Sequence, residues 1–116
     1  MTDLRNEILS KDDIKEKKIK VEEWDCEILV KGLTGKERSE VLNNALTKNN
    51  TFDFSRAYAD LVIATAHDPE TGKKIFNKTD RDALNNKSGS ALEKIAGVAV
   101  DLSGLGKGQL SKVVKN

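Results

Sequence analysis

His67 is followed at once by Asp68, with Glu70 close behind, and this is the smallest grouping in the 116-residue sequence that could do chemistry. An imidazole beside a carboxylate can act as a general base or bind a metal. Either role needs further ligands or partners at a compatible spacing, and His67 is the single histidine. It reads instead as a residue at a helix end, where the negative end of the helix dipole favours it. The acidic residues Asp68, Glu70, Asp80 and Asp82 lack the Asp-x-Asp-x-Asp-Gly loop and distal Glu of a calcium-binding hand, and read as turn and cap residues. Cys26 alternates in phase with Trp24 and Ile28, so it is expected to be a small buried apolar side chain rather than a nucleophile. Gly104-Leu105-Gly106-Lys107-Gly108 looks like a phosphate loop but lacks Gly-Lys-Ser/Thr after a strand. The residues therefore predict no catalytic group, no metal and no cofactor.

Composition narrows the classes further. The length suits one domain with one modest core. Three Phe, one Trp and one Tyr leave that core to Leu, Ile, Val and Ala. Twenty Lys plus Arg stand against 19 Asp plus Glu, a net charge of +1 with the signs interspersed. Such a chain has no overall field to draw it to nucleic acid or to anionic lipid. A single cysteine excludes an internal disulfide and suits a reducing cytoplasm. The charged start, Met1 to Glu7, lacks the apolar stretch of a signal peptide, and no run approaches the roughly 20 apolar residues of a membrane span. Neither secretion nor membrane insertion is expected.

The elements that must position any site follow from periodicity. Leu4, Ile8 and Leu9 have helical spacing, and Ser10-Lys11-Asp12-Asp13 looks like a second helix start, so residues 3 to 16 predict a weakly held amphipathic arm. From Lys17 the period becomes two. Ile19 and Val21, then Trp24, Cys26, Ile28 and Val30, alternate with charged residues or Leu29, which predicts a β-hairpin over 17 to 31 turning near Glu22-Glu23. Thr34 and Glu37 have capping-box spacing and predict a helix carrying Val41, Leu42, Ala45 and Leu46. Asp53 is the expected cap of a central helix whose buried face is Phe54, Ala57, Tyr58, Leu61, Val62 and Thr65. That helix must end near His67, because Pro69 and Gly72 force a turn. Thr79 to Asp82 predicts another cap before Ala83 and Leu84, and Ser88 or Ser90 opens a last helix bearing Leu92, Ile95, Ala96, Ala99 and Leu102. The fold class is α+β: a mainly helical single domain over 1–103 with one N-terminal β-hairpin, followed by a flexible C-terminal tail over 104–116.

Taken in order, Trp24 to Arg38, His67 to Phe76, and Ser88 to Leu105 with its Leu102-Ser103-Gly104-Leu105 ending resemble the small tail assembly chaperones of long-tailed bacteriophages, in particular the XkdN-like group. The resemblance spans nearly the whole chain through the order and spacing of its motifs. It implies a non-catalytic protein of the host cytoplasm, absent from the mature virion, that binds the tape measure protein and helps tail tube subunits assemble around it. It also implies self-association on a long client, and a longer form made by ribosomal frameshifting that recruits the tail tube protein. Client-binding residues are not transferable from the family one by one. From the pattern alone, Leu29, on the hairpin face opposite the core, and Leu102 and Leu105, at the end of the last helix, are the expected partner-binding residues. The competing classes are a tail or connector subunit that stays in the particle, which asks for more strands, and a small helical DNA-binding regulator, which asks for a basic recognition helix.

Overall fold

The alternation after Lys17 becomes the hairpin it implies. The protein is described by a computed structural model covering residues 3–51, 53 and 57–105. In it β1 (Glu16–Val21) and β2 (Cys26–Lys31) pair antiparallel, with Ile19 opposite Ile28 and Val21 opposite Cys26. A 3-10 turn over Glu22–Trp24 joins them, closed by Asp25 at φ 47°, a left-handed conformation that Asp tolerates better than most residues. Ile19, Val21, Ile28 and Val30 are buried on the inner face. Cys26 shares that face by register with the fully buried Val21 opposite it, yet is exposed, which corrects the expectation of a buried thiol: it is the first residue of its strand, next to the left-handed turn residue Asp25. Trp24 leaves the alternation altogether, lying half-buried in the turn with its ring edge-on to Phe76, centroids 6.5 Å apart.

Two helices cover the inner face. α2 (Gly35–Ala45) starts with the complete capping box: the Glu37 N–H donates to Thr34 Oγ1 at 3.2 Å, and the Thr34 N–H donates to Glu37 Oε1 at 3.0 Å. Losing the side-chain acceptor leaves an unpaired helix N–H, so Thr34→Ala is expected to cost about 0.5–2 kcal/mol. A lowered urea midpoint with unchanged slope is the expected readout, and an unchanged midpoint would deny the cap any energetic role. α3 (Tyr58–Thr65) and α5 (Gly89–Leu102) pack on each other and on the sheet, burying Leu61, Val62 and Thr65 from one and Leu92, Ile95, Ala96 and Ala99 from the other. α3 is entered from Ala57 without a side-chain cap; the expected cap, Asp53, is followed by residues 54–56, and Phe54, expected on the buried face, lies outside the described residues.

The central helix stops two residues earlier than the Pro-Gly turn suggests. Thr65 Oγ1 donates back to the Leu61 carbonyl at 2.6 Å, and Ala66–His67 then forms a third strand, β3, with Leu29 opposite His67 and Val30 opposite Ala66. The turn makes this possible. The Gly72 N–H donates to the Asp68 carbonyl at 2.7 Å with Gly72 at φ 74°, the chain reverses, and the Ile75 N–H reaches the Ala66 carbonyl at 3.2 Å. Ala66 and His67 thus have backbone partners on both sides, which favours strand over a last turn of helix.

Three local expectations change in the same way. Ser10 to Asp13 starts no second helix; α1 (Leu4–Ser10) ends there and an extended segment leads into β1. Asn77, not Thr79 or Asp80, caps the 3-10 turn Lys78–Asp80 that precedes α4 (Arg81–Asn85), its side chain accepting the Thr79 N–H at 2.9 Å. Ser88 caps α5. At the far end of α5, Gly104 at φ 74° lets the Leu105 N–H return to the Val100 carbonyl at 2.9 Å, while its own N–H reaches the Asp101 carbonyl at 3.3 Å. This is a Schellman cap, and it folds Leu105 into the core at 3% exposure. The packed body therefore extends to Leu105; the remainder of the expected tail, 106–116, lies outside the described residues.

Candidate functional site: an open groove beside the short strand

The groups that could have done chemistry are occupied elsewhere. His67 is buried, and its Nδ1 lies 2.7 Å from the Thr65 carbonyl, which can only accept, so Nδ1 carries a proton and is held by the backbone. Asp68 Oδ1 accepts the Glu70 N–H at 2.8 Å inside the turn. Asp80 Oδ2 accepts the Asn77 N–H at 2.9 Å. Cys26 lies on the inner sheet face by register and His67 pairs with Leu29 on the outer one, so the two cannot act together. Among the described residues no group of three or more His, Cys, Asp or Glu side chains could hold a metal ion. No described helix is long and apolar enough to cross a membrane.

The arrangement instead offers surface. An open groove of about 710 Å³ lies between α2, α3 and the Lys78–Arg81 segment. Its apolar lining is Val41, Ile63 and Ala64, the first buried and the others half-buried. Polar contacts brace its rim. Lys74 Nζ meets Glu37 Oε2 at 2.8 Å, tying the Pro-Gly turn to α2. Arg81 Nη2 meets Asp60 Oδ2 at 3.3 Å, and Asn44 Nδ2 donates to that same oxygen at 3.1 Å, tying α4 and α2 to α3. A smaller cavity of about 270 Å³ adjoins it, sharing Thr34, Glu37, Ala64 and Lys74 and reaching His67.

Glu37 is the electrostatic centre of this surface. Partial burial alone would raise its pKa, but the hydrogen bond from Lys74, the Thr34 N–H, the Lys74 charge and the Thr34 hydroxyl together hold it below its ordinary value of 4.5. A carboxylate depressed in the folded state binds protons less readily there than when unfolded. Its stabilising contribution is therefore complete above the unfolded value and is lost as pH falls from about 4.5 through the folded pKa. Denaturation profiles over that acid range should fall less steeply for Glu37→Gln than for the natural protein; parallel profiles would show that Glu37 does not titrate with folding.

The three expected partner-binding residues do not form one patch. Leu29 is half-buried on the outer sheet face beside His67, and through it adjoins the smaller cavity. Leu102 is half-buried on the other side of the sheet, its carbonyl oxygen 3.1 Å from where a Cβ on Gly32 would stand. Leu105 is in the core and offers no surface. The residues missed from sequence are Ile63 and Ala64. Their signal was present: they are apolar yet fall off the Leu61, Val62 and Thr65 face of α3, leaving a second apolar strip that lines the groove.

No protein-family model and no curated protein matches the sequence significantly. Among solved structures the fold is similar to that of the bacteriophage HK97 tail assembly chaperone, with a TM-score of 0.58 over 86% of this chain and 98% of that one, at 17% sequence identity. The likeness is one of fold: an α+β body with three antiparallel strands and five α-helices among the described residues.

Proposed function

We propose that the protein is a non-catalytic phage tail assembly chaperone, of the XkdN-like group to judge from its motifs, that holds amphipathic helical segments of a tape measure protein in the host cytoplasm before tail tube subunits assemble around it. The observation that carries this reading is the fold shared with a tail assembly chaperone over 86% of this chain, together with an open groove whose apolar lining is Val41, Ile63 and Ala64. An apolar stripe at helical spacing laid into such a groove is a common mode of helix recognition. Leu29 extends the client surface across the outer face of β2, while Leu102, on the other side of the sheet, stands apart from it. The tail tube protein is reached through a longer, frameshifted form.

Co-expression with the tape measure protein of the same gene cluster tests the reading. The client is expected to become more soluble and to co-purify, and Leu29→Glu to reduce the recovered client without changing the thermal midpoint of the chaperone. Moderate salt is expected to alter recovery little, since apolar contact dominates and the net charge is +1. Failure to co-purify with both short and long forms, or tight salt-sensitive binding to DNA instead, would end the reading.

A further inference from the structure

α1 has the composition of a ligand rather than of a structural helix. Its seven residues are capped by Asp3, whose side chain accepts the Arg5 N–H at 3.0 Å, yet none of them is buried. Leu4, Ile8 and Leu9 stand 67%, 58% and 68% exposed, and they are three of the five large apolar residues left in water among the described residues. Leu4 and Ile8 are spaced to share one face, with Leu9 beside them. A helix this short is marginal in water on its own and becomes stable only when its apolar stripe is covered.

We propose that α1 of one copy docks in the groove between α2 and α3 of a second copy. Three observations choose this occupant. At about 1.5 Å per residue α1 is roughly 10 Å long, shorter than the eleven-residue α2 that forms one wall, so it fits along the groove without overhang. The charges complement each other. Residues 3–13 carry Asp3, Glu7, Asp12 and Asp13 against Arg5 and Lys11. In the groove, Glu37 and Asp60 are already held by Lys74 and Arg81, while Lys36 and Lys78, against the single carboxylate of Glu40, line it with no ion pair among the described residues and leave it an excess of positive charge. Finally, the root of the arm is already at the entrance: Asp12 and Ile14 line the smaller cavity that opens into the groove, and the Gly32 N–H fixes the Lys15 carbonyl at 2.8 Å. Within one chain α1 nonetheless stands outside the groove with its stripe in water. A second copy, carrying the same arm and the same groove, covers both apolar surfaces at once.

Exchange of this kind links identical chains through one element and closes into a dimer if reciprocal, or propagates head to tail if not. The neighbour's arm is the occupant while no client is present, so the inference goes beyond client binding and is tested without a client. Sedimentation equilibrium of the full chain over a wide concentration range is the measurement. The natural protein is expected to associate reversibly. Ile8→Glu, on the exposed arm, and Ala64→Arg, in the groove, are each expected to weaken association by at least about tenfold, with circular dichroism unchanged. Mixing the two variants is expected to restore association, because the mixture still contains one intact arm and one intact groove. Lys78→Glu, an exposed charge reversal, replaces Ala64→Arg if the latter does not fold. The proposal is overturned if the natural protein sediments as a single copy at every concentration, if Ile8→Glu associates as well as the natural chain, or if the mixture associates no better than either variant alone.

Discussion

Leu61→Ala is expected to cost about 2–5 kcal/mol, the range for deleting a fully buried leucine side chain and leaving a cavity that the surroundings only partly fill. Leu61 is 0% exposed at the centre of α3, the helix that packs on both α5 and the sheet. Its carbonyl also accepts the Thr65 hydroxyl that ends the helix. With only three Phe, one Trp and one Tyr in the sequence, few large side chains are at hand to fill the gap. Domains of this size are stable by about 5–15 kcal/mol, so the variant should lose a large share of its stability and in a marginal case populate the unfolded state at 37 °C. Chemical denaturation checks it. A loss below about 1 kcal/mol would mean that α3 is not the centre of the core.

Leu105→Glu is the second large effect, and it separates a core residue from a surface one. Read as part of a glycine-rich tail, Leu105 would accept a charge freely. As the buried end of a Schellman cap it cannot: a carboxylate at 3% exposure must either be neutralised or pull its segment into water. Because Leu105 closes the last turn of α5, the turn can detach, and detachment bounds the loss at roughly the burial energy of one leucine, about 1.5–3 kcal/mol. Leu105→Ala should therefore destabilise nearly as much. Leu29→Glu, half-buried on the outer sheet face, should change stability by much less. Equal midpoints for Leu105→Glu and the natural protein would return Leu105 to the surface.

Those contrasts mark what the sequence could and could not convey. Thr34 and Glu37 announced their helix because both halves of a capping box are local, three residues apart. Ile19, Val21, Ile28 and Val30 announced the inner sheet face because a period of two survives wherever one side is covered. Cys26 obeyed the same period and was misplaced, since alternation reports a face and not the exposure of a single position at a strand end: Val21, opposite it, is fully buried. Ala66 and His67 became strand through hydrogen bonds to Ile75 and pairing with Leu29 and Val30, partners that no local window contains. Leu102-Ser103-Gly104-Leu105 was legible as a cap, a glycine followed by a leucine after a helix, but the glycines that follow masked it as a linker. Gly32 also gave no local signal: its need for a bare Cα comes from the Leu102 carbonyl, seventy positions away, in a clasp where the Leu33 N–H donates to Ser103 Oγ at 2.8 Å. The groove was the least legible part, because its lining comes from α2, α3 and the 74–81 segment, which only the fold brings together, rather than from any motif.

The central claim is that this groove receives a helix of the client. Hydrogen exchange of the purified chain, alone and saturated with an amphipathic helical segment of the tape measure protein from the same gene cluster, tests it most directly. The account predicts slowed exchange in α2 from Thr34 to Asn44, around Ile63 and Ala64, and from Lys74 to Arg81, with a smaller change at Leu29 and none at the buried Ile95. Binding that left those segments unprotected, or protection confined to the far end of α5, would contradict it.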